Sequence, residues 1–166
     1  MSSRPEQLIA HHNMIPHPQG GYCCELYRSQ DTVSQEDMSF RYSGDRSVSS
    51  SFYYLLVNEQ VAKLHRLKSP GIWHFYEGSP LIIHEFVPNG DYKMHTLGPD
   101  VAKDETFQAV LPRCSWVGAC LKDPKSHTLV GCTISPGYEL DDFQLANRQD
   151  VLEKFPRYQK IIELLT

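Results

Sequence analysis

The chain has 166 residues, of which 40% are hydrophobic and 22% charged, so it is one ordinary domain with enough apolar side chains for its own core. Sixteen Lys and Arg against twenty Asp and Glu leave a net charge of −4, which favours neither a nucleic-acid polymer nor an anionic membrane surface. No run approaches the ~20 apolar residues that span a bilayer.

The start, MSSRPEQLIAHHNM, carries no apolar signal core, so a cytoplasmic location is expected, with diffusion into the nucleus. Ser3 is placed to cap a short helix through Glu6, Leu8, Ile9 and His12, stopped before Pro16. Short β-branched and aromatic runs then follow at 21–28, 50–57, 62–67, 73–77, 81–87, 92–97, 107–111, 115–121 and 128–134, punctuated by Gly and Pro. That pattern predicts an all-β sandwich or barrel. The Ser-, Asp- and Arg-rich stretch 34–51 reads as a long loop. Asn89-Gly90 predicts a two-residue type I′ turn, which would set Phe86 opposite Lys93 and His84 opposite His95. Residues 148–154 and 156–165 read as helices, the second with an apolar face of Ile161, Ile162, Leu164 and Leu165. The expected organisation is a single domain over 1–166, with a barrel over about 16–146 and a helical tail over 147–166.

Five cysteines, Cys23, Cys24, Cys114, Cys120 and Cys132, are an odd number without a CxxC pair. They read as reduced thiols rather than as a disulfide frame or a zinc site.

The segment HRLKSPGIWHFYEG at 65–78 resembles the first motif of the cupin superfamily. PHPQGGYCCELYRS (16–29), FYYLL (52–56), LPRCSW (111–116) and GCTISPGYELDDFQLA (131–146) are similar to a small single-domain branch labelled a domain of unknown function. The resemblance implies an all-β fold, a double-stranded β-helix or jelly roll, commonly found as a homodimer. Metal-binding cupins take two His and a Glu from the first motif and a third His from the second. Here His65 falls on the first His, Leu67 on the second, Gly71 on the Glu and Val117 on the third His. Leu, Gly and Val have no donor atoms, so no metal and no cofactor is expected.

A barrel without a metal still binds a small polar ligand through ring surfaces and a few polar groups. If His65 faces inward, strand alternation takes Lys63 and Leu67 with it; if Gly71 holds the Glu place, Trp73 and Phe75 face inward and His74 and Tyr76 outward. Trp73, Phe75 and Trp116 would form a stacking wall. The layout is similar to that of metal-free dTDP-sugar epimerases, which implies His65 as base and a tyrosine as acid. Tyr53, Tyr27 and Tyr138 are the candidates, with Glu25 orienting the base. Arg28 suits an anionic group, and Tyr27, Lys63 and His74 complete the expected ligand-binding set. Arg41, Arg46 and Arg66 offer the same chemistry and otherwise read as surface charges. His11, His12 and His17 lie near a terminus and are set aside. Asp142, with Glu139 and Asp141, reads as a solvated turn packing Phe143 on the barrel. Two further readings remain open: a binding module that leaves its ligand unaltered, and a metal-dependent cupin using His65, His74 and Glu25.

Overall fold

The structure is a computed structural model and describes residues 2–166. Helix α1 (Arg4–His12) begins as the capping pattern dictates: Ser3 Oγ accepts from the Glu6 amide, and the Glu6 carboxylate accepts from the Ser3 amide at 2.7 Å. Asn13, with φ 51°, turns the chain out of the helix.

Among the described residues thirteen strands follow, eleven of them in two main sheets and two in a small separate ladder. They are β1 (Ile15–Pro16), β2 (Tyr22–Arg28), β3 (Thr32–Val33), β4 (Arg46–Ser47), β5 (Ser50–Val57), β6 (Val61–Leu67) and β7 (Gly71–Gly78). The rest are β8 (Leu81–Phe86), β9 (Tyr92–Leu97), β10 (Gln108–Leu111), β11 (Trp116–Leu121), β12 (His127–Ile134) and β13 (Phe143–Leu145). One sheet runs β1-β2-β5-β12-β7-β10 and the other β13-β6-β11-β8-β9, with all of these pairings antiparallel. Both sheets bury their inner faces in one core, where Tyr54, Trp73 and Val130 meet Ile83, Val117 and Ala119. The fold is the expected all-β jelly roll.

Each outer face carries a helical cover. Leu8 of α1 packs with Leu55 and Leu129 on the six-stranded sheet. Helices α2 (Arg148–Lys154) and α3 (Gln159–Leu164) close the five-stranded sheet, where Val151, Phe155, Ile162 and Leu165 bury Leu64 and Phe86. The chain comes close to the sheet there because residue 118 is glycine: a Cβ would sit 2.9 Å from the Leu165 side chain.

The β8–β9 hairpin differs from the expected one by a residue. Val87 N–H donates to Asp91 O at 2.8 Å and Gly90 N–H to Val87 O at 2.9 Å, so the loop holds Pro88, Asn89 and Gly90. Pro88 suits the start of such a turn, and Gly90, at φ 101°, supplies the left-handed closing position of a three-residue loop. The register becomes Phe86 to Tyr92, His84 to Met94 and Ile83 to His95. His84 and His95 therefore fall on opposite faces: His84 bonds the Tyr92 hydroxyl at 2.8 Å, and His95 bonds Glu85 at 2.9 Å.

The 34–51 stretch is less loop-like than expected. It holds a 3₁₀ turn, β4 paired with β3 just before the stretch, the buried Tyr42 and the start of β5. Arg46 is not a surface charge. It is 5% exposed and clasps Asp142 with two hydrogen bonds of 2.7 and 2.8 Å. Asp142 is thus buried rather than part of a solvated turn.

Candidate functional site

One end of the sandwich is hollow. The cavity leaves ≈ 60 Å³ open to the centre of a water molecule, and its wall is mostly ring and aliphatic surface from Phe52, Tyr54, Trp73, Ile134 and Phe143. His65, Leu67, Trp73 and Ile134 also border an adjoining lobe of ≈ 30 Å³. The polar residues bordering this space are few: His65, His17, Gln19, Tyr54 and Tyr138 on the cavity, and Arg66, Ser69 and Ser115 on the lobe.

His65 is 5% exposed, and its Nδ1 lies 2.8 Å from Lys63 O. A carbonyl only accepts, so Nδ1 carries the proton and Nε2 holds a lone pair. No other protein group among the described residues bonds that Nε2. Burial lowers the imidazole from 6.5 to about 4, against the smaller opposing effect of the Lys63 carbonyl. The ring is therefore neutral at pH 7.

This has a measurable consequence. Between pH 6.5 and 4 the unfolded chain binds a proton that the folded chain refuses, so His65 costs stability as pH falls through that window. The displacement is worth about 3 kcal/mol. Wild type is expected to lose about 3 kcal/mol more than His65→Asn between pH 7 and 4, measured by urea unfolding. Equal losses would contradict the burial argument.

Tyr138 also lines the cavity, and its hydroxyl is the buried side-chain polar atom without a partner among the described residues. Burial pushes it up to about 12. Arg28 holds the segment in place by donating to Tyr138 O at 2.8 Å. Tyr54, by contrast, spends its hydroxyl on Gly20 O at 2.8 Å. His17 accepts the Gln19 amide at Nδ1, 3.2 Å away, so its proton sits on Nε2. The Cys23 and Cys132 thiols in the wall are pushed up by burial and stay protonated, which makes them poor nucleophiles.

Of the expected site residues, the structure brings only His65 and Trp73 to the cavity, together with Tyr138 from the tyrosine candidates. Tyr53 lies on the outer face of the sheet against His12 and Tyr76, with ring centroids 4.7 and 5.7 Å away. Its neighbour Tyr54 takes the inner place. Lys63 is exposed because a bulge separates it from His65: Val117 pairs with His65, but Ala119 pairs with Ala62. Glu25 does not orient His65; it is exposed and ion-paired with Arg28 at 2.7 Å. Arg28 spends the rest of its fork on Glu139 at 2.9 Å, and Tyr27 is 57% exposed. His74 faces away and bonds Thr133 at 3.1 Å, while Phe75 packs on the core without reaching the cavity. Trp116 points outward under the Arg66 guanidinium, 4.5 Å from the ring centroid, and Val117 takes the inner face.

His17, Tyr54 and Phe143 are among the wall residues that sequence reasoning missed. The expectation that His17 stands apart fails because the chain folds back at Gly20 and Gly21: Gly20 N–H donates to His17 O at 2.9 Å and His17 N–H to Gly21 O at 3.0 Å. The Gly20-Gly21 pair after His17 is the signal for that turn.

A family model described as the cupin superfamily, DUF985, matches residues 6–146. This chain belongs to the DUF985 family of cupins. A protein from Shewanella oneidensis, SO0799, superposes with a TM-score of 0.85 at 30% identity, over 100% of this chain and 98% of its own. A hypothetical protein from Leishmania major gives 0.84 at 26% identity, over 97% of both chains. The Saccharomyces cerevisiae protein YML079W is 26% identical over 168 residues, which is 96% of this chain and 83% of that one.

Cupin membership raises the question of the superfamily's metal. All four positions that the motif resemblance sets on its ligands, His65, Leu67, Gly71 and Val117, border the adjoining lobe. Only His65 has a donor atom there. No group of three His, Cys, Asp or Glu side chains able to hold a metal ion occurs among the described residues. The non-standard set does not assemble either, since His74 and Glu25 face away from His65. The donor chemistry does not fit a transition-metal site.

Proposed function

We propose that this DUF985 cupin binds the polar end of a small metabolite in its barrel, with His65 Nε2 accepting and the Tyr138 hydroxyl donating. The observation that carries the reading is the Tyr138 hydroxyl, buried and without a partner among the described residues, on a side chain that lines the same cavity as His65. A buried polar group left unpaired costs about 1–3 kcal/mol, and a ligand that pairs with it recovers that cost. The volume supports a small occupant. An engineered cavity of ~150 Å³ houses one benzene ring, and ≈ 60 Å³ is less than half of that. A sugar or sugar phosphate would enter by one end, and a whole nucleotide sugar would extend out of the mouth.

A proton-transfer reading, a metal-independent isomerase or epimerase with His65 as base and Tyr138 as acid, is favoured by the presence of both groups on one cavity. It requires the bound ligand to bring both groups toward neutrality, because general catalysts work best near the ambient pH and these lie at about 4 and about 12. A thermal-shift screen of sugars, sugar phosphates and nucleotide sugars tests the binding reading; an absence of stabilisation by any of them counts against it. Uptake of deuterium from heavy water into a stabilising ligand separates turnover from binding. Tyr138→Phe is expected to leave the free protein as stable as wild type, or more so, and to abolish most of the ligand-induced shift. A shift equal to wild type would remove Tyr138 from the site. A homodimer is part of this reading, supported by the open edges of β10 and β13, and sedimentation at micromolar concentration checks it.

A further inference from the structure

The adjoining lobe borders a chain of hydrogen bonds that the site described so far does not use. Ser115, 1% exposed, borders the lobe and donates its hydroxyl proton to Glu85 Oε1 at 3.0 Å. Glu85 is itself 1% exposed and meets His95 Nε2 with its other oxygen at 2.9 Å. A hydroxyl has one proton and two lone pairs. With the proton committed to Glu85, Ser115 has only lone pairs left for the lobe, and no donor among the described residues reaches its oxygen.

His65 has the same character. Its Nδ1 proton is committed to the Lys63 carbonyl, so its free nitrogen only accepts. The remaining polar side chains bordering the lobe are turned or bonded elsewhere. Arg66 carries its guanidinium over Trp116 and gives its Nε proton to Gln144 at 2.8 Å, and the Ser69 hydroxyl pairs with the Tyr42 hydroxyl at 3.0 Å. The rest of the wall is mainly apolar, with Leu111, Val117 and Ile134 among its residues. A space of ≈ 30 Å³ suits one terminal functional group, since one water needs ~10–15 Å³.

We propose that Ser115, backed by Glu85 and His95, sets the specificity of the site: the lobe takes a hydroxyl group of the ligand and rejects a carbonyl or carboxylate oxygen. This rests on the reading that the cavity binds a metabolite. A hydroxyl there donates to one of the two acceptors, whereas a carbonyl leaves both unpaired and sets its own lone pairs against theirs. A carboxylate adds repulsion from Glu85. Sites built around buried acceptors reject ligands that lack the donor, because the acceptors are left without a partner.

The probes are 1-butanol, 2-butanone and butyrate, which share a short apolar chain and differ in the end group. They are titrated into the isotope-labelled full chain while the NMR signals of His65 and Ser115 are followed. In wild type, 1-butanol is expected to bind roughly tenfold more tightly than 2-butanone or butyrate. Ser115→Ala should shrink the gap to within about twofold, and Ser115→Thr, which keeps the hydroxyl, should restore it. Butanone or butyrate binding as tightly as butanol in wild type overturns the proposal while leaving the cavity reading in place. So does an undiminished preference in Ser115→Ala. If none of the probes moves the His65 or Ser115 signals, the cavity reading fails and this proposal falls with it. The wild-type ranking decides the matter alone should Ser115→Ala not fold.

Discussion

Asp142→Ala is expected to lower the unfolding free energy by about 3–5 kcal/mol, because it strands a buried guanidinium. Arg46 is 5% exposed and gives Nε and Nη2 to the two Asp142 oxygens, while Nη1 bonds the carbonyls of Gly44 and Asp45 at 2.9 and 2.8 Å. Lys68, 3.5 Å from Asp142, is too exposed to replace that partnership. For a domain of this size the loss corresponds to about 6–20 °C in melting temperature. The consequence extends to the site. The pair ties the 34–49 excursion to the segment that carries Tyr138 and Phe143, two walls of the cavity. Ligand-induced stabilisation should therefore fall along with the melting temperature. Replacing both partners together, with Arg46→Met and Asp142→Leu, should recover much of the stability, since a buried ion pair is often matched by apolar residues of similar size. A single variant with near-wild-type melting would show that Arg46 reaches solvent.

Phe86→Ala is expected to cost about 3–5 kcal/mol by opening a cavity under the helical tail. Phe86 is fully buried, with the rings of Phe155, Tyr92 and Tyr158 centred 5.1, 5.2 and 5.7 Å away. Its partners are the residue that caps the end of α2, the 3₁₀ turn that follows and the first residue of β9, so the ring joins the tail to the five-stranded sheet. Hydrogen exchange in the variant should accelerate first in residues 148–165, ahead of β5 and β12, which lie in the other sheet. Uniform acceleration would mean that the tail and the barrel unfold as one unit.

The strands were legible because short β-rich runs separated by Gly and Pro leave few alternatives. The runs at 50–57 and 92–97 coincide with β5 and β9. What the sequence could not specify was which way each side chain points. SSFYYLLV in β5 is apolar throughout its second half, so nothing in it distinguishes Tyr53 from Tyr54. Only the register with Gly131 and Val130 decides that Tyr54 faces in. In β6 the alternation from His65 back to Lys63 is broken by a bulge that leaves no mark in the sequence. Trp116 looked like a stacking surface because it is large, yet it covers the outside while the smaller Val117 lines the lobe.

The residues of the site that were least legible come from loops. His17 precedes β2 and Tyr138 follows β12, far apart in sequence, and both reach the cavity because turns fold them over the open end of the barrel. Arg28 was expected to hold an anion and instead braces the Tyr138 backbone. A charge is easy to see in a sequence, but its partner is not. The opposite holds for Leu67, Gly71 and Val117. Their lack of donor atoms is plain from the sequence, and the structure puts all three around one lobe with His65.

The central claim is that His65 is a neutral imidazole whose free Nε2 faces the cavity as a hydrogen-bond acceptor. A nitrogen-15 NMR titration of the ring tests it most directly. The account predicts the Nδ1–H tautomer at pH 7, with protonation only near pH 4. A ring that titrates near 6.5, or that carries its proton on Nε2, would contradict it.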